Sequence, residues 1–174
     1  LVNAPLDSDL SNTGFAPEAA ELPQEFASKV SSSTCVAIIP GAARGDSKRW
    51  PFYAEAAKLM LAKNPELKFF ICGSPNEAPL CEQVANDIGA DSATSLAGKT
   101  NLAQFATVLR KVKLVLCNDS GGMHLASASG TPVVAMYGLT SPVKTGPLGS
   151  NAIVIQPEGV KGARAISRDS AEAI

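Results

Sequence analysis

The stretch LVLCNDSGGMHLASASGTPVVAMYG, residues 114–138, decides the fold. Leu114 to Cys117 is a continuous apolar run, too short for a helix and without the alternation of a half-wet strand. It reads as a strand buried on both faces. Asn118 to Gly122 is a polar, glycine-bearing turn, and Met123 to Ser129 reads as a short helix stopped by Gly130. Val133 to Met136 is a second buried strand. Strand, acidic turn, helix and strand in this order are one unit of a parallel α/β sheet.

The same alternation extends both ways. Val36 to Ile39 reads as a strand ended by Pro40-Gly41. Pro51 to Asn64 reads as a helix with Tyr53, Ala56, Ala57, Met60 and Leu61 on one face. Lys68 to Cys72 is the next strand, and Leu80, Val84 and Ile88 mark a helix capped by Gly89. A weak strand follows near Ala93 to Leu96. Asn101 is placed to cap a helix whose apolar face is Leu102, Phe105, Ala106, Leu109 and Val112. Ile153 to Ile155 is a last strand, and Ser167 is placed to cap a terminal helix. Residues 1–34 lack a sustained apolar period, apart from a short helix expected between Glu18 and Val30, and read as a linker or surface strap. Residues 35–174 are expected to form one Rossmann-like, three-layer domain, a parallel sheet with helices on both faces.

Composition narrows the function. Hydrophobic residues make up 45% of the chain, a globular share, and 15 basic against 16 acidic residues leave a net charge of −1. That balance carries no footprint for nucleic acid or an anionic membrane. No apolar run approaches the roughly 20 residues of a bilayer span. Leu1 to Leu10 lacks the basic start and apolar core of a signal peptide. The 4 cysteines form no CxxC pair and the single histidine excludes a two-histidine metal site, so reduced buried thiols are expected.

In a parallel sheet, ligands bind beyond the carboxyl ends of the strands. The loops to inspect follow Ile39, Cys72, Leu96, Cys117 and Met136. The first runs from Pro40 to Pro51 and puts Lys48 and Arg49 before a helix, which suits a phosphate, or equally a solvated basic turn over Trp50. Its spacing is not that of a P-loop. In the fourth, Asp119 ends a strand and Ser120-Gly121-Gly122 opens a helix whose free amides can hold a phosphate. Asp119 is either a hydroxyl-binding acid or a plain helix cap, and His124 either a phosphate donor or an ordinary histidine. The fifth, Tyr137 to Gly149, is rich in glycine and proline and can close over a ligand or merely connect. No DxD metal motif flanks Asp119, and no GxSxG nucleophile elbow is present.

These residues together resemble glycosyltransferase family 9, the heptosyltransferases. The matching stretches are PGA…KRWP at 40–51, NDSGGMHLA at 118–126, GTPVVAMYGLTSP at 130–142 and KTGPLG at 144–149, with the weaker SLAGKTNLAQFATVL at 95–109 between them. The resemblance implies the C-terminal, donor-binding half of a GT-B fold. It implies transfer of heptose from ADP-heptose to lipopolysaccharide core, with inversion and with no bound metal or cofactor. Lys48 would contact the donor phosphates and Asp119 the heptose hydroxyls. Ser120, Gly121, Gly122, Met123 and His124 would surround the diphosphate. Glu77 would stand near ribose and Gly98 to Thr100 near adenine. The catalytic residue is not assigned, because the general base is expected in an N-terminal acceptor domain without counterpart here. This chain alone is therefore expected to be inactive in transfer. A cytoplasmic location is implied, with peripheral attachment to the inner face of the inner membrane left open. Ala42 and Ala43 stand where some members carry hydroxyl residues. Two alternatives remain: a transferase of the same fold with another nucleotide-sugar donor or surface-glycan acceptor, and a non-catalytic nucleotide-binding module.

Overall fold

A computed structural model describes residues 20–30, 34–42, 48–138, 140–148 and 150–157. Six strands form one sheet: β1 (Cys35–Ile39), β2 (Lys68–Ile71), β3 (Ala93–Ser95), β4 (Leu114–Asn118), β5 (Val133–Met136) and β6 (Ala152–Ile155). Every neighbouring pair is parallel, in the order β3-β2-β1-β4-β5-β6. The chain winds outward from β1 to β3, returns to the middle at β4, and winds outward again. That reversal opens a crevice between the carboxyl ends of β1 and β4.

The helices are α1 (Gln24–Val30), α2 (Tyr53–Lys63), α3 (Ala78–Ile88), α4 (Leu102–Lys111), α5 (Gly121–Ala128) and the single turn α6 (Pro142–Thr145). Strand residues divide between the two faces with period two. Ala37, Ile39, Phe70, Val115, Cys117, Val133 and Ala135 pack with α1, α4 and α5. Val36, Ile38, Phe69, Ile71 and Leu116 pack with α2 and α3. Burial on both faces explains why the central strands read as unbroken apolar runs. Helix α1 adds Phe26 and Val30 to the first core.

The expected elements form where the apolar periods lie, with differences at two helices. In α3 the buried face is Cys81, Ala85 and Ile88, one residue round from Leu80 and Val84. Two small side chains let the helix lie close to the sheet, and larger ones sit at its flanks. In α4 the cap forms as expected: Asn101 accepts from the Gln104 amide and Gln104 returns a bond to the Asn101 amide. Leu102, however, is 73% exposed. It opens the helix, one turn before the buried run Ala106 to Leu109. The terminal helix expected after Ser167 lies outside the described residues.

Candidate functional site

The crevice between β1 and β4 is organised by Asn118, the last residue of β4 and fully buried. Its carboxamide nitrogen donates to the Pro40 carbonyl at 2.8 Å. Its oxygen accepts from the Trp50 backbone N–H and from the Tyr53 hydroxyl, each at 2.9 Å. Trp50 also meets Tyr53 edge to face, with ring centroids 5.0 Å apart. The loop after β1 is thus tied at both ends to β4.

Next to this knot, the Lys48 ammonium donates to the Asp119 carboxylate at 2.6 Å. Their side chains are only 16% and 8% exposed, so the pair is screened far less than a surface pair. Burial opposes the charge on Asp119. The Lys48 bond and charge work against that burial, and the carboxyl is held below its ordinary value.

Helix α5 starts one residue further on. Ser120 is its N-cap, but its hydroxyl makes no cap bond and is buried without a partner. The Gly121 and Gly122 amides open the helix, where no preceding turn can accept from them. Gly122 lies against Ile39: an added Cβ would come within 2.9 Å of its Cδ1. A side chain at this position would have to push the Ile39 side chain aside. The Met123 side chain is wholly in the core and its amide bonds the Ser120 carbonyl at 3.1 Å. His124 is exposed. It lines an open, mainly apolar groove between α4 and α5 with Leu102, Phe105 and Leu125.

The other loops converge on the same edge. The Tyr137 hydroxyl donates to the Thr145 carbonyl at 2.6 Å, tying the chain after β5 to α6, and burial pushes its phenol up to about 12. Glu77 stands in a short 3-10 turn after β2. Its carboxylate accepts from the Ser74 amide at 2.8 Å and the Ser74 hydroxyl at 2.7 Å, and it presses against Gly41 of the first loop. Gly98, at φ +70°, packs on Pro75 and donates to the Gly73 carbonyl at 3.2 Å, and Thr100 lies in the loop just before the Asn101 cap of α4. Of the residues named from sequence, Lys48 and Asp119 are in direct contact and Ser120 to His124 continue from them. Glu77 reaches the first loop, and Thr100 lies one loop further out.

Sequence reading passed over the roles of Asn118 and Tyr53. Asn118 carried a signal, a polar side chain completing an apolar strand. Tyr53 looked like a core residue, because its ring is one. All four cysteines are free and buried, and burial raises the thiols of Cys72, Cys81 and Cys117, the last two to about 12. Among the described residues no three His, Cys, Asp or Glu side chains gather at a metal-binding spacing, and no helix is long and apolar enough to cross a membrane. What the arrangement offers an anionic ligand is the Lys48 ammonium and the Gly121 and Gly122 amides at a helix start, with a carboxylate beside them.

Comparison with known proteins points the same way. The chain is 35% identical over 153 residues to lipooligosaccharide heptosyltransferase 2 of Haemophilus ducreyi, which covers 81% of this chain and 43% of that protein. It is 35% identical over 126 residues to lipopolysaccharide heptosyltransferase 2 of Escherichia coli K12, covering 70% of this chain and 36% of that one. The chain thus spans about two fifths of the length of these curated relatives. The solved structure of E. coli ADP-heptose lps heptosyltransferase II superposes with a TM-score of 0.70 at 29% identity, over 88% of this chain and 50% of that one. The family model for glycosyltransferase family 9 (heptosyltransferase) matches residues 4–171. With a match running over nearly its whole length, and with the parallel sheet and crevice the family's fold requires, this chain belongs to glycosyltransferase family 9.

Proposed function

We propose that this chain is the donor-binding half of an inverting, metal-independent heptosyltransferase that takes heptose from ADP-heptose for lipopolysaccharide core. The observation that carries this reading is the Lys48–Asp119 pair at the crevice between β1 and β4, beside the open amides of α5. It is supported by 29% identity to a protein described as an ADP-heptose lps heptosyltransferase. As the glycosidic bond breaks, the leaving diphosphate gains negative charge. Lys48 and the Gly121 and Gly122 amides are proposed to receive that charge, in the role a metal ion fills in other transferases. Asp119 stands where it can accept hydrogen bonds from sugar hydroxyls. The base that takes the acceptor proton is proposed to lie in the half of the architecture that this chain does not span.

Calorimetry with ADP and ADP-heptose tests the assignment. Lys48→Ala is expected to weaken both ligands by about 1–3 kcal/mol, the worth of one charged hydrogen bond. Asp119→Asn is expected to weaken ADP-heptose more than ADP, since both ligands feel the release of Lys48 but only the sugar also loses its own partner. Equal loss of both in Asp119→Asn, or no preference of the chain for ADP over UDP and GDP, overturns the reading.

A further inference from the structure

We propose that Asn118 is a positioning residue that sets Lys48 against Asp119 by holding both ends of the loop after β1. It touches no ligand itself. It sits fully buried at the end of β4, one residue before Asp119. Its three bonds reach Pro40, where the loop leaves β1, and Trp50 and Tyr53, where the chain enters α2.

The carboxamide is suited to this place by its two-sided chemistry. Pro40 offers only a carbonyl there, and the Trp50 amide can only donate. One partner must therefore be met by a donor and the other by an acceptor. The same requirement fixes which way round the amide lies. An aspartate has no donor for Pro40 when ionised, and a leucine has neither function. Lys48 is two residues before Trp50, so fixing the Trp50 amide fixes the base of the Lys48 stem. Without that anchor a four-carbon side chain samples many rotamers, and holding it in one costs entropy. The Tyr53 hydroxyl supplies the third bond from a ring that is itself core. Burial raises its pKa well above the ordinary value, which keeps it a neutral donor.

The inference rests on the donor reading of Lys48 for its ligand arm alone; a second arm needs no ligand. In the 174-residue chain, the Asp119 carboxyl is titrated by NMR in wild type, Asn118→Ala and Tyr53→Phe, with thermal melting to confirm folding. Releasing Lys48 is expected to return Asp119 towards the ordinary carboxylate range in Asn118→Ala, and part of the way in Tyr53→Phe. ADP affinity is then measured for Asn118→Ala, Lys48→Ala and the double variant. Asn118→Ala is expected to weaken ADP about ten-fold in wild type but less than about two-fold once Lys48 is gone. A residue that merely stabilised the fold would give multiplicative losses. Unchanged titration of Asp119 in a folded Asn118→Ala chain, or multiplicative losses in the double variant, overturns the proposal. Should Asn118→Ala not fold, Tyr53→Phe decides alone: it keeps the ring and two of the three bonds, and an unmoved Asp119 titration overturns the proposal equally. If Lys48→Ala leaves ADP affinity intact, the donor reading of Lys48 fails, and the titration still decides what Asn118 does.

Discussion

Asp119 and Glu77 stand on the same edge of the sheet, after β4 and β2, and they are held by opposite means. Asp119 is bound by a lysine 71 residues away in sequence, across the crevice where the strand order reverses. Glu77 is bound by Ser74, three residues away, in a turn that needs nothing else to form. A local bond of this kind organises a loop whatever the rest of the chain does. The long-range pair exists only after β1 and β4 have come together. The acid that depends on the whole fold is the one we propose meets the donor sugar, and the self-contained acid shapes the wall beside it.

The largest break in this contrast is Asp119→Ala. It leaves the mostly buried Lys48 ammonium without its partner, and urea unfolding should show a loss of about 1–3 kcal/mol. A loss no greater than that of Glu77→Ala removes the distinction drawn here.

The acid limb of stability comes next. Because the folded pKa of Asp119 lies below the ordinary 3.8, its pairing stabilises the fold above that value and is lost as pH falls through the folded pKa. Melting temperature followed from neutral pH downward should therefore fall less steeply below about pH 4 in Asp119→Asn than in wild type. Parallel curves would mean that another carboxylate sets the acid limb.

Gly41→Ala is the smallest and joins the two acids. A methyl there occupies the space of the Glu77 carboxylate, whose flexible end must swing away from Ser74. The expected cost is that of one lost cap, about 0.5–1 kcal/mol, with Asp119 still titrating low. A larger loss, or a rise in the Asp119 titration, would show that the two walls of the crevice are coupled.

Much of the fold was legible because its signals are local. The unbroken runs at 36–39, 114–117 and 133–136 are what two-sided burial demands, and the strands lie there. The cap expected at Asn101 formed within one turn, with Gln104 as its partner. The α3 register was misread because Leu80 and Val84 are larger than Cys81 and Ala85, whereas close contact with a sheet favours the smaller pair. Leu102 was misread because periodicity cannot tell which turn of a helix reaches the core.

By itself, then, the sequence determined the alternation of strands and helices, the caps, the turn chemistry at Asp119 to Gly122, and through its motifs the family. Each of these rests on interactions within about one turn or one strand, where spacing along the chain is spacing in space. Only the tertiary structure decided that Lys48 meets Asp119, that Asn118 holds Pro40 and Trp50 at once, and that Glu77 turns to Ser74 while leaning on Gly41. Those facts follow from a strand order that sets β1 beside β4, and no local spacing records which strands become neighbours.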